Sequence, residues 1–256
     1  MWFAAAMFPL RLWIENRYRP FTALDAIRKL IRDKEDTAQV FRLLVALRGM
    51  SFVRNVRRFQ KLPVGQRVLA EKRDLVNVLV DRQYLESLSP GSLGREFIAF
   101  MDRCGITPQG LTDAAHEAGL DEYELSEDAR RYEMRIRVQH DLWHVVGGYG
   151  CDGFGEVCNV AFSYPHTHNI GFMVIAIAGG WNYAKAFPGE PIMSAMWQGL
   201  WRGYRAKWLP GVDWEAMLPL PLAEVRKQLG VRDLPTRYLS APRVIEQSFT
   251  VSPVAA

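Results

Sequence analysis

At 256 residues with 49% hydrophobic and 23% charged side chains, the chain can bury a sizeable core, which excludes a disordered, collagenous or coiled-coil polypeptide. Three cysteines, Cys104, Cys151 and Cys158, with no CxxC pair, are too few and too unevenly spaced for a disulfide framework or a zinc ribbon, and point to a reducing compartment. The net charge of +4 is uneven: residues 1–73 hold 16 Lys and Arg against 6 Asp and Glu, while residues 74–256 hold 16 against 22, so the front half suits an acidic partner or an anionic membrane surface.

Residues 1–14 are apolar and carry Trp2, Phe3, Phe8 and Trp13. They lack the basic start of a signal peptide and the serine richness of a transit peptide, and read as a core or membrane-interface segment. From there on the apolar residues recur with helical period and alternating β-branched runs are absent, so the fold class is all-α. A helix is predicted over 37–49, capped by Thr37, with Val40, Leu43, Leu44 and Leu47 on one face and Gly49 as its stop. Residues 51–62 set Phe52, Val56 and Phe59 opposite Arg54, Arg57, Arg58 and Lys61, and Pro63 ends that helix. Helical pattern returns over 67–88, turns at Ser89-Pro90-Gly91, and restarts at Ser92 with Phe97, Phe100 and Met101 as its apolar stripe. Short helices are predicted over 111–118 and 213–218. Ser126, followed by Glu127 and Asp128 at the positive end of the dipole, opens a long helix through His140 and His144 to about Val146, where Gly147, Gly148 and Gly150 stop it. The next helix begins near Asp152, carries Glu156 and turns at Pro165, and further helices follow over 170–186 and 192–208. No segment offers the roughly 20 apolar residues of a bilayer span, and residues 170–181 read as a buried helix. The organisation is one helical domain: a basic front layer (1–65), a core (66–240) and a C-terminal tail (241–256).

The feature that stands above composition is His140-Asp141-Leu142-Trp143-His144, with Glu156 twelve residues further on. Two histidines four apart project from one helix face, so both imidazoles reach one cation. Asp141 lies about 100° around the helix from His140, as a fourth ligand or as an outer partner fixing an imidazole tautomer. Glu156 returns on the next helix through the glycine-rich turn. Such a donor set suits zinc with an open position, and also iron, manganese or cobalt. It is not the HExxH of zinc proteases, because Asp141 stands beside the first histidine. His166 and His168 form an HxH pair in the turn after this helix, where caps and exposed positions are commoner than ligands. Cys151 and Cys158, which flank Glu156, read as small buried hydrophobes. Downstream, Gly171, Val174, Ile175 and Ala178 belong to an apolar, glycine-rich stretch in which small residues let another backbone or a long apolar ligand come close.

On these residues the chain resembles the coenzyme Q biosynthesis protein 4 family, whose hallmark is HDxxH followed by eleven residues and Glu. His140, Asp141, His144 and Glu156 fit that pattern without a gap. The resemblance extends to Leu88-Ser89-Pro90-Gly91-Ser92-Leu93-Gly94, to Gly148-Tyr149-Gly150, to Asp213-Trp214-Glu215 and to Val225-Arg226-Lys227-Gln228-Leu229, and covers about residues 70–240. It implies a helical protein, peripheral on membranes, that holds a divalent metal and a polyprenylated quinone precursor. It further implies oxidative decarboxylation of the precursor's ring, carboxyl replaced by hydroxyl, together with a scaffolding role for the other quinone-biosynthesis enzymes. On this reading His140, Asp141, His144 and Glu156 are the metal residues and Asp141 and His144 the catalytic ones. Tyr149 would donate to substrate or serve as a structural phenol, and Gly171, Val174, Ile175 and Ala178 would house the isoprenoid tail in an apolar cavity. Where the resemblance implies glutamine and arginine, this chain has His166 and His168.

Two other classes compete. An HD-type phosphohydrolase needs a further histidine upstream, for which His116 is the one candidate; a non-catalytic, lipid-presenting scaffold would close the metal with four side chains. Nucleic-acid binding is not expected, because the arginines between Arg28 and Arg73 lie on amphipathic helices without a reading motif. Arg54, Arg57 and Arg58 are expected to face an anionic membrane surface, and the chain to act as a bacterial cytoplasmic protein, peripheral on the inner face of the membrane, with scope for a homo-oligomer.

Overall fold

The computed structural model describes residues 17–32, 36–107, 125–231 and 233–251. Residues 1–14, the helix expected over 111–118 and His116 lie outside them. The described residues form helices throughout; their one β feature is an isolated antiparallel bridge between Ser92 and Pro221. In chain order the helices are α1 (Pro20–Arg32), α2 (Thr37–Leu47), α3 (Gly49–Lys61), α4 (Pro63–Ala70), α5 (Leu75–Val80), α6 (Arg82–Ser87), α7 (Leu93–Cys104), α8 (Glu127–Gly147), α9 (Gly153–Thr167), α10 (Ile170–Ala186) and α11 (Ile192–Arg205). After them come α12 (Trp214–Met217), α13 (Leu222–Leu229), α14 (Thr236–Leu239) and α15 (Pro242–Val251).

Caps explain most boundaries. Ser92, Ser126 and Asp152 accept from the backbone N–H three residues on, opening α7, α8 and α9. Asp36 rather than Thr37 caps α2. The single helix expected over 67–88 is three, α4 to α6. Asp74 accepts from Val76 N and Asp81 from Tyr84 N, so each aspartate offers the backbone a cap in place of another helical turn. Pro63 both ends α3 and starts α4, its missing N–H costing nothing at a first-turn position. Pro165 does not break α9, which runs on to Thr167 and ends at His168 in the left-handed conformation, φ 49°.

The centre of the molecule is α9. Phe154, Val157, Cys158, Val160, Ala161 and Phe162 are all buried, and the helix packs against α8, α10, α11 and α15. Two glycines of α11 set the closest approach: a Cβ at Gly199 would lie 2.6 Å from Cys158 O, and one at Gly203 only 2.2 Å from Phe162 O. Backbone meets backbone along this seam, which no residue with a side chain allows. Beside α9, α10 carries the apolar sequence expected to be buried, yet Ile170, Ile177 and Trp181 stand exposed. Its inner side is taken by α9 and by the α1–α2 pair, and no element covers the outer one among the described residues.

Gly203→Ala should therefore destabilise the fold by at least about 1–3 kcal/mol, because the methyl group can be accommodated only by moving α11 off α9. Urea unfolding of the variant checks this, and an unchanged midpoint would show that the seam has slack.

Candidate metal centre

Helix α8 is amphipathic only in part because its last three turns are wrapped on almost every side: Val138, Gln139, Leu142, Trp143, His144, Val145 and Val146 are buried. Its end inside the protein is satisfied carbonyl by carbonyl. His144 O accepts from Gly148 N at 2.8 Å and Tyr149 N at 3.1 Å. Val145 O and Val146 O accept from the Arg226 guanidinium, both at 3.0 Å, and Gly147 O accepts from Arg202 at 2.8 Å. Gly148 takes the left-handed turn, φ 74°, that frees the chain to reverse. Asp152 then caps α9 through Gly155 N, and Glu156, one turn in, comes back opposite the histidines.

The three side chains meet. His140 Nε2 lies 3.3 Å from Glu156 Oε2, His144 Nε2 lies 3.2 Å from Glu156 Oε1, and the two imidazole nitrogens are 3.2 Å apart. Ligand distances of about 2.0–2.1 Å in a tetrahedron place donor atoms about 3.3–3.4 Å apart, and each imidazole nitrogen stands at about that separation from the other and from one of the two Glu156 oxygens. His144 is sealed, its side chain 1% exposed, with the Phe100 ring stacked on it at 5.3 Å; His140 and Glu156 remain 22% and 30% exposed. Burial pushes the Glu156 carboxyl up, but the charge and hydrogen bonds of the two imidazoles outweigh it and hold the group below the ordinary carboxylate range. Among the described residues, His140, His144 and Glu156 are the one group of His, Cys, Asp and Glu donors that could hold a metal ion.

Asp141 is not part of that group. Its side chain is buried, Oδ2 has no hydrogen-bond partner, and burial pushes the carboxyl up to about 7, with His140 opposing and Glu156 reinforcing the shift. His144 Nδ1 is likewise without a partner, so Asp141 does not orient that imidazole. The reason is rotational: the residue after His140 points away from the histidine stripe, and the returning α9 supplies the carboxylate instead.

The remaining expected site residues are dispersed. The Tyr149 hydroxyl accepts from Arg202 at 2.7 Å and its ring packs near Phe162 and Tyr238, which makes it a core phenol. Gly171, Val174 and Ile175 face the α1–α2 pair, Gly171 lying against Leu44, while Ala178 is exposed. Arg54, Arg57 and Arg58 are exposed, though Arg58 stacks over Trp208 at 4.1 Å. Cys151 is not a free thiol; it is joined to Cys104. His168 caps α9 at the surface, whereas His166 is buried against Trp143 and Phe162, with its Nδ1 accepting from Leu209 N. Phe100, Arg202 and Arg226 had no signal as site residues, since a stacking ring or a capping arginine is identified only by what it meets across the fold.

Burial of His166 pushes its imidazole down to about 3, from an ordinary 6.5. In that interval the unfolded chain binds a proton that the folded chain refuses, so the stability His166 contributes is complete above pH 6.5 and is lost as the pH falls toward 3. His166→Gln should flatten the pH dependence of unfolding there by up to about 1.4 kcal/mol per pH unit; parallel profiles for variant and wild type would show that this imidazole titrates freely.

An all-helical protein with a two-histidine, one-carboxylate cluster between consecutive helices is the class defined so far. The family model of the coenzyme Q (ubiquinone) biosynthesis protein Coq4 matches residues 23–235, and the chain belongs to that family. Its relatives include the mitochondrial ubiquinone biosynthesis protein COQ4 of Podospora anserina, 29% identical over 174 residues, which cover 66% of this chain and 54% of that protein. The mitochondrial coq-4 protein of Neurospora crassa is 28% identical over 179 residues, covering 68% of this chain and 48% of that one. The chain thus spans about half the length of the curated relatives it matches. A crystal structure from Nostoc punctiforme, of a chain assigned by name to ubiquinone biosynthesis, superposes with a TM-score of 0.60 at 20% identity, over 85% of this chain and all of that one, and shares the fold.

Proposed function

We propose that this protein binds a polyprenylated quinone precursor beside a divalent cation held by His140, His144 and Glu156, and catalyses oxidative decarboxylation of the ring: carbon dioxide leaves, a hydroxyl group enters from water, and dioxygen takes up the two electrons and two protons as hydrogen peroxide. The observation that carries this reading is the convergence of three side chains, the two histidine Nε2 atoms and the two oxygens of Glu156 at 3.2–3.3 Å, with one sealed imidazole and two reachable residues. A bound cation would supply a Lewis acid for the ring carboxylate or the neighbouring phenolate. The chain itself sets the direction of approach. Phe100 and the buried His144 form the inner wall, so substrate enters past His140 and Glu156. Val157, next to Glu156, packs with Ala176 and Met196, and through them the cluster adjoins the apolar surface of α10 and α11.

That surface, rather than the basic front, is the lipid-facing side in this proposal. Trp181 is 58% and Trp201 65% exposed, with Ile177, Trp197 and Tyr204 beside them in the same two helices. Over residues 168–207 Glu190 is the sole carboxylate, while Lys185, Arg205 and Lys207 are exposed. Tryptophan and tyrosine among lysine and arginine suit the headgroup level of an anionic bilayer. Helix α3 offers Arg54, Arg57 and Arg58 but turns Val53, Val56 and Phe59 inward, so it has charge without an insertable face. No helix among the described residues is long and apolar enough to cross a membrane.

Removing one ligand, as in His140→Ala or Glu156→Ala, should weaken zinc binding by at least about 100-fold, whereas Asp141→Asn should cost less than about 10-fold; equal losses, read by titration calorimetry, would restore Asp141 as a ligand. The function itself is tested by carbon dioxide release from a carboxylated, prenylated catechol-type precursor. Release by the wild type in air, absent without oxygen and absent in His144→Ala, is expected. Lipid binding by the metal-loaded protein with no release under either atmosphere would leave the scaffold role in place of catalysis. Flotation with vesicles containing phosphatidylserine should be lost in Trp181→Ser/Trp201→Ser and retained in Arg54→Glu/Arg57→Glu; the reverse pattern would return the membrane contact to α3.

A further inference from the structure

The proposed function makes no use of the bond between Cys104 and Cys151. Its position ties it to the triad on three sides. Cys104 is the last residue of α7, one turn beyond Phe100, whose ring lies on His144. Cys151 sits in the connection 148–152, between the helix that carries both histidines and the aspartate cap of the helix that carries Glu156. The loop closed by the bond, 47 residues in sequence, contains the whole of α8. Both half-cystines are partly exposed, so a reductant reaches them. The third cysteine, Cys158, is fully buried, and burial together with the nearby Asp152 pushes its thiol up. Exchange is thereby confined to the one pair, because the thiolate is the attacking form.

We propose that Cys104–Cys151 is a thiol–disulfide exchange site for an external dithiol, and that its redox state sets the cation affinity of the triad. One thiolate of the dithiol attacks a protein sulfur and forms a mixed disulfide; the second displaces it. The protein gains two electrons and two protons as two cysteine thiols, and the dithiol leaves as its disulfide. In the oxidised chain, α7 and the 148–152 connection are held as one body, with Phe100 fixed on His144 and Glu156 fixed opposite. In the reduced chain the α7 end is released from that connection, and ordering the triad around a cation carries the entropy that the bond had removed in advance.

The regulatory claim rests on the metal reading of the triad, and the test separates the two. Zinc affinity is measured by calorimetry on the full chain in three forms: oxidised wild type, wild type reduced with a phosphine, and Cys104→Ser/Cys151→Ser, which has no thiol at the pair to take the cation itself. Far-ultraviolet circular dichroism confirms that each is folded, and alkylation followed by mass spectrometry confirms the bond in the first. The expected result is zinc binding at least about 10-fold tighter in the oxidised form than in either of the others. Equal affinity in the oxidised and serine forms overturns the coupling and leaves the metal reading intact. Absence of zinc binding in all three overturns both. Alkylation of all three cysteines in protein purified without reductant and then denatured overturns both the exchange site and the coupling, and leaves the metal reading intact. If the serine variant does not fold, the phosphine-reduced wild type decides the outcome.

Discussion

The architecture depends on how a helix is allowed to stop inside the protein. The last carbonyls of α8 point into a buried region, where each one left bare would cost about 1–3 kcal/mol. Two backbone N–H groups, one arginine from α11 and another from α13 take all four, from His144 to Gly147. The guanidinium groups also bring positive charge to the negative end of the helix dipole. Burial and the neighbouring Arg202 lower the pKa of Arg226, with Glu96 opposing, and the group stays protonated. Without these donors the reversal at Gly148 would lack its footing, and Glu156 would not be returned to the histidines within five connecting residues. The chemistry of the site is thus held in place by residues that never touch it.

Much of this was legible in the amino-acid order. Helical period, caps at Ser92, Ser126 and Asp152, and stops at Gly148 follow from local physics, and so does the pairing of His140 with His144. That Glu156 would close the triad required only a reversal between two helices, which the glycine cluster announces. What could not be read were local competitions between a side chain and the helix, and contacts decided across the fold. The segment from 67 to 88 has one continuous apolar pattern, and only the side chains of Asp74 and Asp81, turned back on their own backbone, divide it. Cys104 and Cys151 are unremarkable by spacing and are joined because α7 ends where the α8–α9 connection passes. Helix α10 reads as buried yet leaves Ile170, Ile177 and Trp181 exposed, because an all-round apolar sequence has no periodicity to mark its outer face.

Asp141 illustrates a similar limit. A carboxylate adjacent to a ligand histidine is an attractive donor on paper, but adjacency on a helix means divergence, and its carboxyl ends buried with an unpaired oxygen. Of the four residues of the motif, His140, His144 and Glu156 meet, and Asp141 lies buried outside their cluster.

Because α9 is enclosed by α8, α10, α11 and α15, with α11 pressed backbone to backbone against it, its amide groups cannot reach water by the loosening of any single neighbour. Its hydrogen exchange is therefore expected to be among the slowest in the fold. Glu156 stands in the first turn of this helix, so any loosening of the site enters from the α7 side, through Phe100 and the connection before Asp152, and not from the body of α9.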